Sequence, residues 1–189
     1  YNIEGTLNYL VNRVRNNSNY KNVVLTMPPM YDIMHDDLVG APPDVRRLGC
    51  DASFNAYNEG IVSSPGFLED IPQRSLGMHI HISNKGLNND LSKIAVKWAD
   101  VTAGVMSVAV ASNHELEARR RQFYGRAGEH RLNIYASGNS GFEYRVISSD
   151  VMRHVALFTF MFYLVRESAY TAIGTHKAPD DEITKEAIY

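Results

Sequence analysis

Two short segments with a period of two constrain the fold more than any other feature of the chain: Gly77-Met78-His79-Ile80-His81-Ile82-Ser83 and Gly141-Phe142-Glu143-Tyr144-Arg145-Val146-Ile147. Successive side chains of a strand point to opposite faces. His79 and His81 therefore share one face, with Met78, Ile80 and Ile82 on the other. Glu143 and Arg145 share a face in the same way, opposite Phe142, Tyr144 and Val146. The alternation predicts strands over 76–83 and 141–148, each with an apolar side for helices and a polar side for a cleft or for water. As neighbours in one sheet, they would bring two imidazoles, a carboxylate and a guanidinium onto one surface. Neutral imidazole is a common metal ligand, and two at i and i+2 can meet one ion or divide between ion and substrate. Plainer readings stay open: a half-exposed strand face, and an exposed cross-strand charge pair of little energetic worth.

Elsewhere the pattern is helical. Ile3, Leu7, Leu10, Val11 and Val14 predict an amphipathic helix over 2–16. KNVVLTM, 21–27, reads as a short buried strand stopped by Pro28-Pro29. The chain is then loop-rich to about residue 75, a length that usually lines a site. A helix over 91–121, capped by Asp90, would bury Ile94, Ala95, Trp98, Val101, Val105, Val108 and Ala109. GRAGEHR and YASGNSG read as Gly-rich loop, expected to be mobile over 125–141 until a nucleotide binds. A last helix, capped by Ser149 or Asp150, reaches about Ile173. Its apolar run Val155–Val165 is shorter than the roughly 20 residues a membrane span needs and predicts a buried core helix. The order of elements predicts an α+β fold, an antiparallel sheet with helices packed on one face.

Composition narrows the function classes. The 189 residues are 44% hydrophobic and 21% charged, which suits one folded domain, here 1–175, with a polar tail at 176–189. Nineteen Lys plus Arg against 21 Asp plus Glu argue against a bulk electrostatic grip on nucleic acid or an anionic membrane. Cys50 is the single cysteine and cannot form an internal disulfide; without a basic neighbour it reads as a small buried residue. No signal peptide pattern is visible at the N-terminus, and a soluble, intracellular or particle-associated protein is expected.

Two further segments carry chemistry. In Glu117–Arg131, EARRRQFYGRAGEHR, five arginines form the one basic cluster of a slightly acidic chain: Arg119, Arg120, Arg121, Arg126 and Arg131. Guanidinium forks onto phosphate oxygens, and the flanking glycines let a backbone approach a ligand. A solvated helix C-terminus, where cations also suit the macrodipole, accounts for part of the cluster. The second segment, LGCDASFNAY at 48–57, carries little by itself.

Taken together and in order, LGCDASFNAY, LGMHIHIS, ARRRQFYGRAGEHR and GFEYRVIS resemble the amidoligase-type carboxylate–amine ligases of tailed phages, a branch of the glutamine synthetase superfamily. GMHIHIS is similar to the glutamine synthetase strand that supplies a metal-binding histidine. GFEYR is similar to a later strand in which a metal-binding Glu precedes a phosphate-contacting Arg. The resemblance spans about residues 1–170. It implies a glutamine synthetase-like sheet and an ATP- and Mg²⁺- (or Mn²⁺-) dependent reaction: ATP phosphorylates a carboxylate, and an amine attacks the acyl phosphate to give an amide.

On that resemblance His79, His81 and Glu143 would hold metal. Arg145, Arg126 and Arg131 would act on the transferring phosphoryl group, with Arg121, Arg126 and Arg145 holding the nucleotide phosphates. Asp51 and Asn55 would lie at the substrate or amine end. The substrates implied are a carboxylate and an amine, on a peptide or protein. Other phage proteins are implied as partners, in the infected host's cytoplasm or on the virion, with no nucleic acid or membrane. The chain departs from the family at Ala52 and Ser53, where a Pro and a second acid are usual. The family's first acidic strands would precede Tyr1, so the 1–175 domain is expected to be incomplete at its N-terminus. Two other functions compete: a ligase fold kept as a non-catalytic virion or assembly component, and a metal-dependent hydrolase or oxygenase, in which the arginines would have no part.

Overall fold

The two alternating segments are strand only over Ile80–Ser83 and Ser140–Tyr144, shorter than the 76–83 and 141–148 expected. These are antiparallel neighbours: Ile80 pairs with Tyr144, His81 with Glu143, Ile82 with Phe142 and Ser83 with Gly141. The structure is a computed structural model that describes residues 3–17, 26–42, 46, 53–58, 61–62 and 72–180. Its elements in chain order are α1 (Ile3–Arg15), β1 (Met30–Asp32), α2 (His35–Val39), β2 (Ser53–Asn55), β3 (Ile61–Val62), β4 (Gln73–Ser75) and β5 (Ile80–Ser83). There follow α3 (Asn89–Ala99), a π-helical turn (Asp100–Gly104), α4 (Val105–Ala109), α5 (His114–Phe123), β6 (Glu129–Ile134), β7 (Ser140–Tyr144), a 3-10 turn (Ser149–Arg153) and α6 (Val155–Thr175).

The main sheet has five strands in the order β3-β2-β6-β7-β5, every pair antiparallel, and β1 pairs with β4 in a separate ribbon. One face of the main sheet carries Ile80, Ile82, Phe142 and Tyr144. These are buried with Leu91, Ala95, Val96 and Ala99 of α3 and Met161, Val165, Ala169 and Ala172 of α6. The α+β class, with an antiparallel sheet and helices packed on it, is therefore as expected.

Several expectations are corrected. The helix over 91–121 is three helices. Leu91, Ala95, Ala99, Ala103 and Ser107 are buried at steps of four. Four residues turn an α-helix by about 400°, so such a row drifts off the contact by about 40° a step. The wider turn at Asp100–Gly104 brings it back. The chain then stops at Ser112, whose N–H and hydroxyl donate to Asp150 at 2.8 and 2.5 Å. It restarts at Asn113, whose side chain accepts from the Leu116 N–H at 3.0 Å. Asn88, not Asp90, caps α3, accepting from the Leu91 N–H at 2.8 Å, and Ser148 caps the turn before α6.

The stretch read as loop to residue 75 holds the five-residue helix α2 and β1, β2, β3 and β4, strands of two or three residues; all are too short to show a period. GRAGEHR is loop only to Gly128; Glu129 opens β6, a six-residue strand of a hairpin with β7. Of the proposed strand over 21–27, residues 21–25 lie outside the described residues, while Thr26 and Met27 are irregular. The apolar run Val155–Val165 is only half buried: Met161 and Val165 are inside, whereas Val155, Phe160, Phe162 and Tyr163 are exposed. Among the described residues no helix is long and apolar enough to cross a membrane.

Candidate functional site

The pleat that turns Tyr144 and Phe142 towards the helices turns Glu143 the other way. Register then sets His81, Glu143 and Arg131 side by side across β5, β7 and β6. Arg145 continues the line past the end of β7, its N–H donating to the Glu129 carbonyl at 3.2 Å. Ser53 and Asn55 of β2 complete the face, with Asn55 opposite Glu129.

Glu143 is its centre. The carboxylate is buried; Oε1 accepts from Arg145 Nε at 2.7 Å, and His79 Nδ1 stands 2.8 Å from it. Near Oε2 stand Arg131 Nη1 at 3.8 Å and His81 Nε2 at 3.9 Å. Burial alone would raise the Glu143 pKa; hydrogen bonding and charge from Arg145, with His79 and Arg131, outweigh it and hold the group below the usual carboxylate range. Burial lowers the His79 pKa, and the nearby Arg145 adds to this against the pull of Glu143, so its imidazole favours the neutral form.

Each histidine is held from behind by a tyrosine. The Tyr135 hydroxyl donates to the Phe142 carbonyl at 3.2 Å, so across its 3.1 Å contact with His81 Nδ1 it is the acceptor. That leaves His81 Nε2 with a lone pair on the side of Glu143. His79 Nε2 shares a hydrogen bond with the Tyr124 hydroxyl at 2.9 Å, and the imidazole tautomer sets its direction. A partner fixing the second ring nitrogen is the usual support of a metal-ligating histidine. His81 meets that condition as it stands. His79 meets it in the tautomer that carries the proton on Nε2 and donates to Tyr124.

The ligand atoms of His79, His81 and Glu143 lie within 4.8 Å of one another, the one such group of three among the described residues. Two imidazoles and a carboxylate suit Mn²⁺, Zn²⁺ or Fe²⁺; Mg²⁺ prefers an all-oxygen shell and would need further oxygens from a bound ligand.

The arginines divide. Arg131 and Arg145 stand at Glu143. Arg145 is almost fully buried, with Nη1 donating to Ser53 Oγ at 2.9 Å and its guanidinium 5.9 Å from the centre of the Tyr124 ring. Arg131 keeps 29% of its side chain exposed. Arg121 and Arg126, expected at nucleotide phosphates, are engaged elsewhere. Arg121 is buried at 3.5 Å from Glu117 and is felt by Asp100 and Tyr144, groups on the helix side of the sheet. Arg126 donates to the carbonyls of Arg121 and Gln122, closing the C-terminal end of α5. Arg120 is wholly buried and clamps the carbonyls of Arg145, Val146 and Ile147 at 2.8–3.3 Å. Asn55, expected at the substrate, spends both ends of its amide on the fold: it donates to the Ala127 carbonyl and accepts from the Tyr57 N–H, each at 2.9 Å. Asp51 and Cys50 lie outside the described residues.

Sequence reasoning missed Tyr124, Tyr135 and Glu129. Glu129 stands two residues before Arg131 and would have been found had β6 been recognised. It is buried, accepts from the Gly125 N–H at 2.7 Å, and has its pKa raised by burial against the nearby Arg126, Arg120 and Arg145. The tyrosines had no signal, since neither lies on the strands they support. Gly125 and Gly128 shape the loop between: both have positive φ, and a Cβ on Gly125 would stand 2.2 Å from Arg120 Nη1. In comparisons with known proteins the chain matches no family model, no curated protein and no solved structure.

Proposed function

We propose that the chain is an ATP- and divalent-metal-dependent ligase that joins a carboxylate to an amine through an acyl phosphate, on a glutamine synthetase-like sheet. The observation that carries this reading is the single row His81, Glu143, Arg131, with Arg145 beside it: metal-type donors and guanidinium groups together on one polar sheet face. Transfer of the ATP γ-phosphoryl group to a carboxylate and its displacement by an amine both develop charge on phosphate oxygens, and fixed cations stabilise that charge. His79, His81 and Glu143 would hold Mn²⁺, or Mg²⁺ with oxygens from the nucleotide; the ion's contribution is to neutralise phosphoryl charge. Arg131, the more open arginine, would contact phosphate, while Arg145 holds Glu143 in place. The resemblance makes a peptide or protein side chain the substrate, and a phage the source, with action in the infected host's cytoplasm or on the virion.

A second reading is favoured by one feature of the same site. Glu143 Oε1 is already taken by Arg145 and His79, as in a fold kept as a non-catalytic assembly component. Calorimetric titration with ATP and Mn²⁺ or Mg²⁺ decides between them. The ligase reading expects ATP to bind only with metal, at least tenfold more weakly in Arg131→Ala and Glu143→Gln. ATP bound equally by parent and both variants would sink the site; no ATP binding to the parent would leave the assembly role.

A further inference from the structure

What surrounds the Glu143 carboxylate sets a condition on what can bind there. Among the described residues, the charged groups around this face are Glu143 with Arg131 and Arg145, Glu129 with Arg126 and Arg120, and, beyond Arg120, Glu117. At the seat itself two guanidinium groups, Arg131 and Arg145, face the one carboxylate of Glu143, so it is net positive before any ion arrives. His81 Nε2 and Arg131 Nη1 both stand near the same oxygen, Glu143 Oε2, at 3.9 and 3.8 Å. A dication seated between His81 Nε2 and Glu143 Oε2 would share one carboxylate oxygen with a guanidinium and meet it at close range, where like charges repel strongly.

We propose that metal and a multiply charged phosphate anion bind this face as an obligatory pair: the anion draws Arg131 off Glu143, and the freed carboxylate oxygen then takes the metal. This rests on the metal-and-phosphate reading above and adds an order of dependence to it. The anion must carry about two charges, as a phosphate or phosphate ester does near neutral pH, because it has to satisfy a guanidinium and a dication together. A monoanion such as acetate satisfies one of them. Arg145 is not the exchanging group. It is almost fully buried and fixed at once to Glu143, Ser53 and the Tyr124 ring, whereas Arg131 is partly exposed and at longer range. Coupling of this kind is reciprocal, so metal must tighten phosphate by the factor by which phosphate tightens metal.

The test is a Mn²⁺ titration of the full chain followed by electron paramagnetic resonance, at fixed ionic strength, in acetate and then with inorganic phosphate. Mn²⁺–phosphate complexation is corrected from a protein-free titration. The expected result is Mn²⁺ binding at least tenfold tighter with phosphate than with acetate. In Arg131→Gln, binding in acetate should become tighter than in the parent, and the phosphate enhancement should fall below threefold. A merely structural arginine would weaken binding on removal, so the sign of that change is diagnostic. Equal Mn²⁺ affinity in both anions, or weaker binding by Arg131→Gln in acetate, overturns the pairing and leaves the metal site standing. No Mn²⁺ binding under either condition removes the metal reading, and the pairing with it.

Discussion

Glu143 is the residue on which the polar face depends, because four cationic or hydrogen-bonding groups converge on its two oxygens. Removing it takes away the carboxylate that Arg145 Nε contacts at 2.7 Å, and that guanidinium has 1% exposure. Breaking a buried pair from one side costs about 3–5 kcal/mol, so Glu143→Ala should lower unfolding stability by that order in urea melts. Glu143→Gln keeps a carbonyl acceptor for Arg145 Nε and should lose less. The carboxylate's pKa is lower folded than unfolded, so its stabilisation is present above about pH 4.5 and fades as pH falls through the lowered folded value. The tyrosines behind the histidines have a separate signature. Tyr135→Phe removes the acceptor that holds His81 Nδ1–H while leaving the sheet intact. Second partners of this kind are worth about 10–100-fold in metal affinity; Mn²⁺ titration in phosphate should show a loss of about tenfold, with little change in the urea midpoint.

Elements were legible in proportion to how many residues carried their period. β5 and β7 announced themselves, since the same alternation that buries Ile80 and Tyr144 exposes His81 and turns Glu143 to the opposite face. β6 was lost because the glycines at 125 and 128, needed for positive φ, read as an unbroken loop. The helix over 91–121 showed its apolar content but not its breaks. The π turn answers to packing against α6, where Thr102 Oγ1 lies 3.1 Å from Ser168 Oγ, and no local residue signals that. The second break was written in the sequence as Asn113. Replacing it by Ala removes the cap of α5, at a cost of about 1 kcal/mol; denaturant melts of Asn113→Ala should show that loss. Gly128→Ala should cost more, because its Cβ would stand 2.7 Å from the Tyr57 ring and 2.9 Å from Asn55 Oδ1 at a φ of 79°.

For the whole molecule, Asp100 ties helix, sheet and loop at one point. Its carboxyl is wholly buried in the π turn and accepts from the Tyr144 hydroxyl and the Gly128 N–H, each at 2.7 Å. Burial pushes its pKa up from 3.8 to about 7, against the hydrogen bonds that favour the charge. A carboxyl whose pKa is raised by folding binds its proton more tightly in the native state. The stability this gives is complete below about pH 4 and is lost as pH rises through about 7. Asp100→Asn should therefore gain on the parent in melting temperature across that interval and hold a constant gap above it. The same two-residue alternation also governs where the chain tolerates a change in length. Deleting one residue within β7 would send Glu143 among the helices and Phe142 into the polar row, because a slip of one exchanges every face. The β6–β7 turn carries no face to exchange: a Cβ at Gly138 would meet nothing within 4 Å, and the constraint there is the backbone's own, a φ of 77° that favours glycine. Insertions and deletions compatible with folding should accumulate at 136–139, while the segments that carry the histidines and Glu143 keep their length.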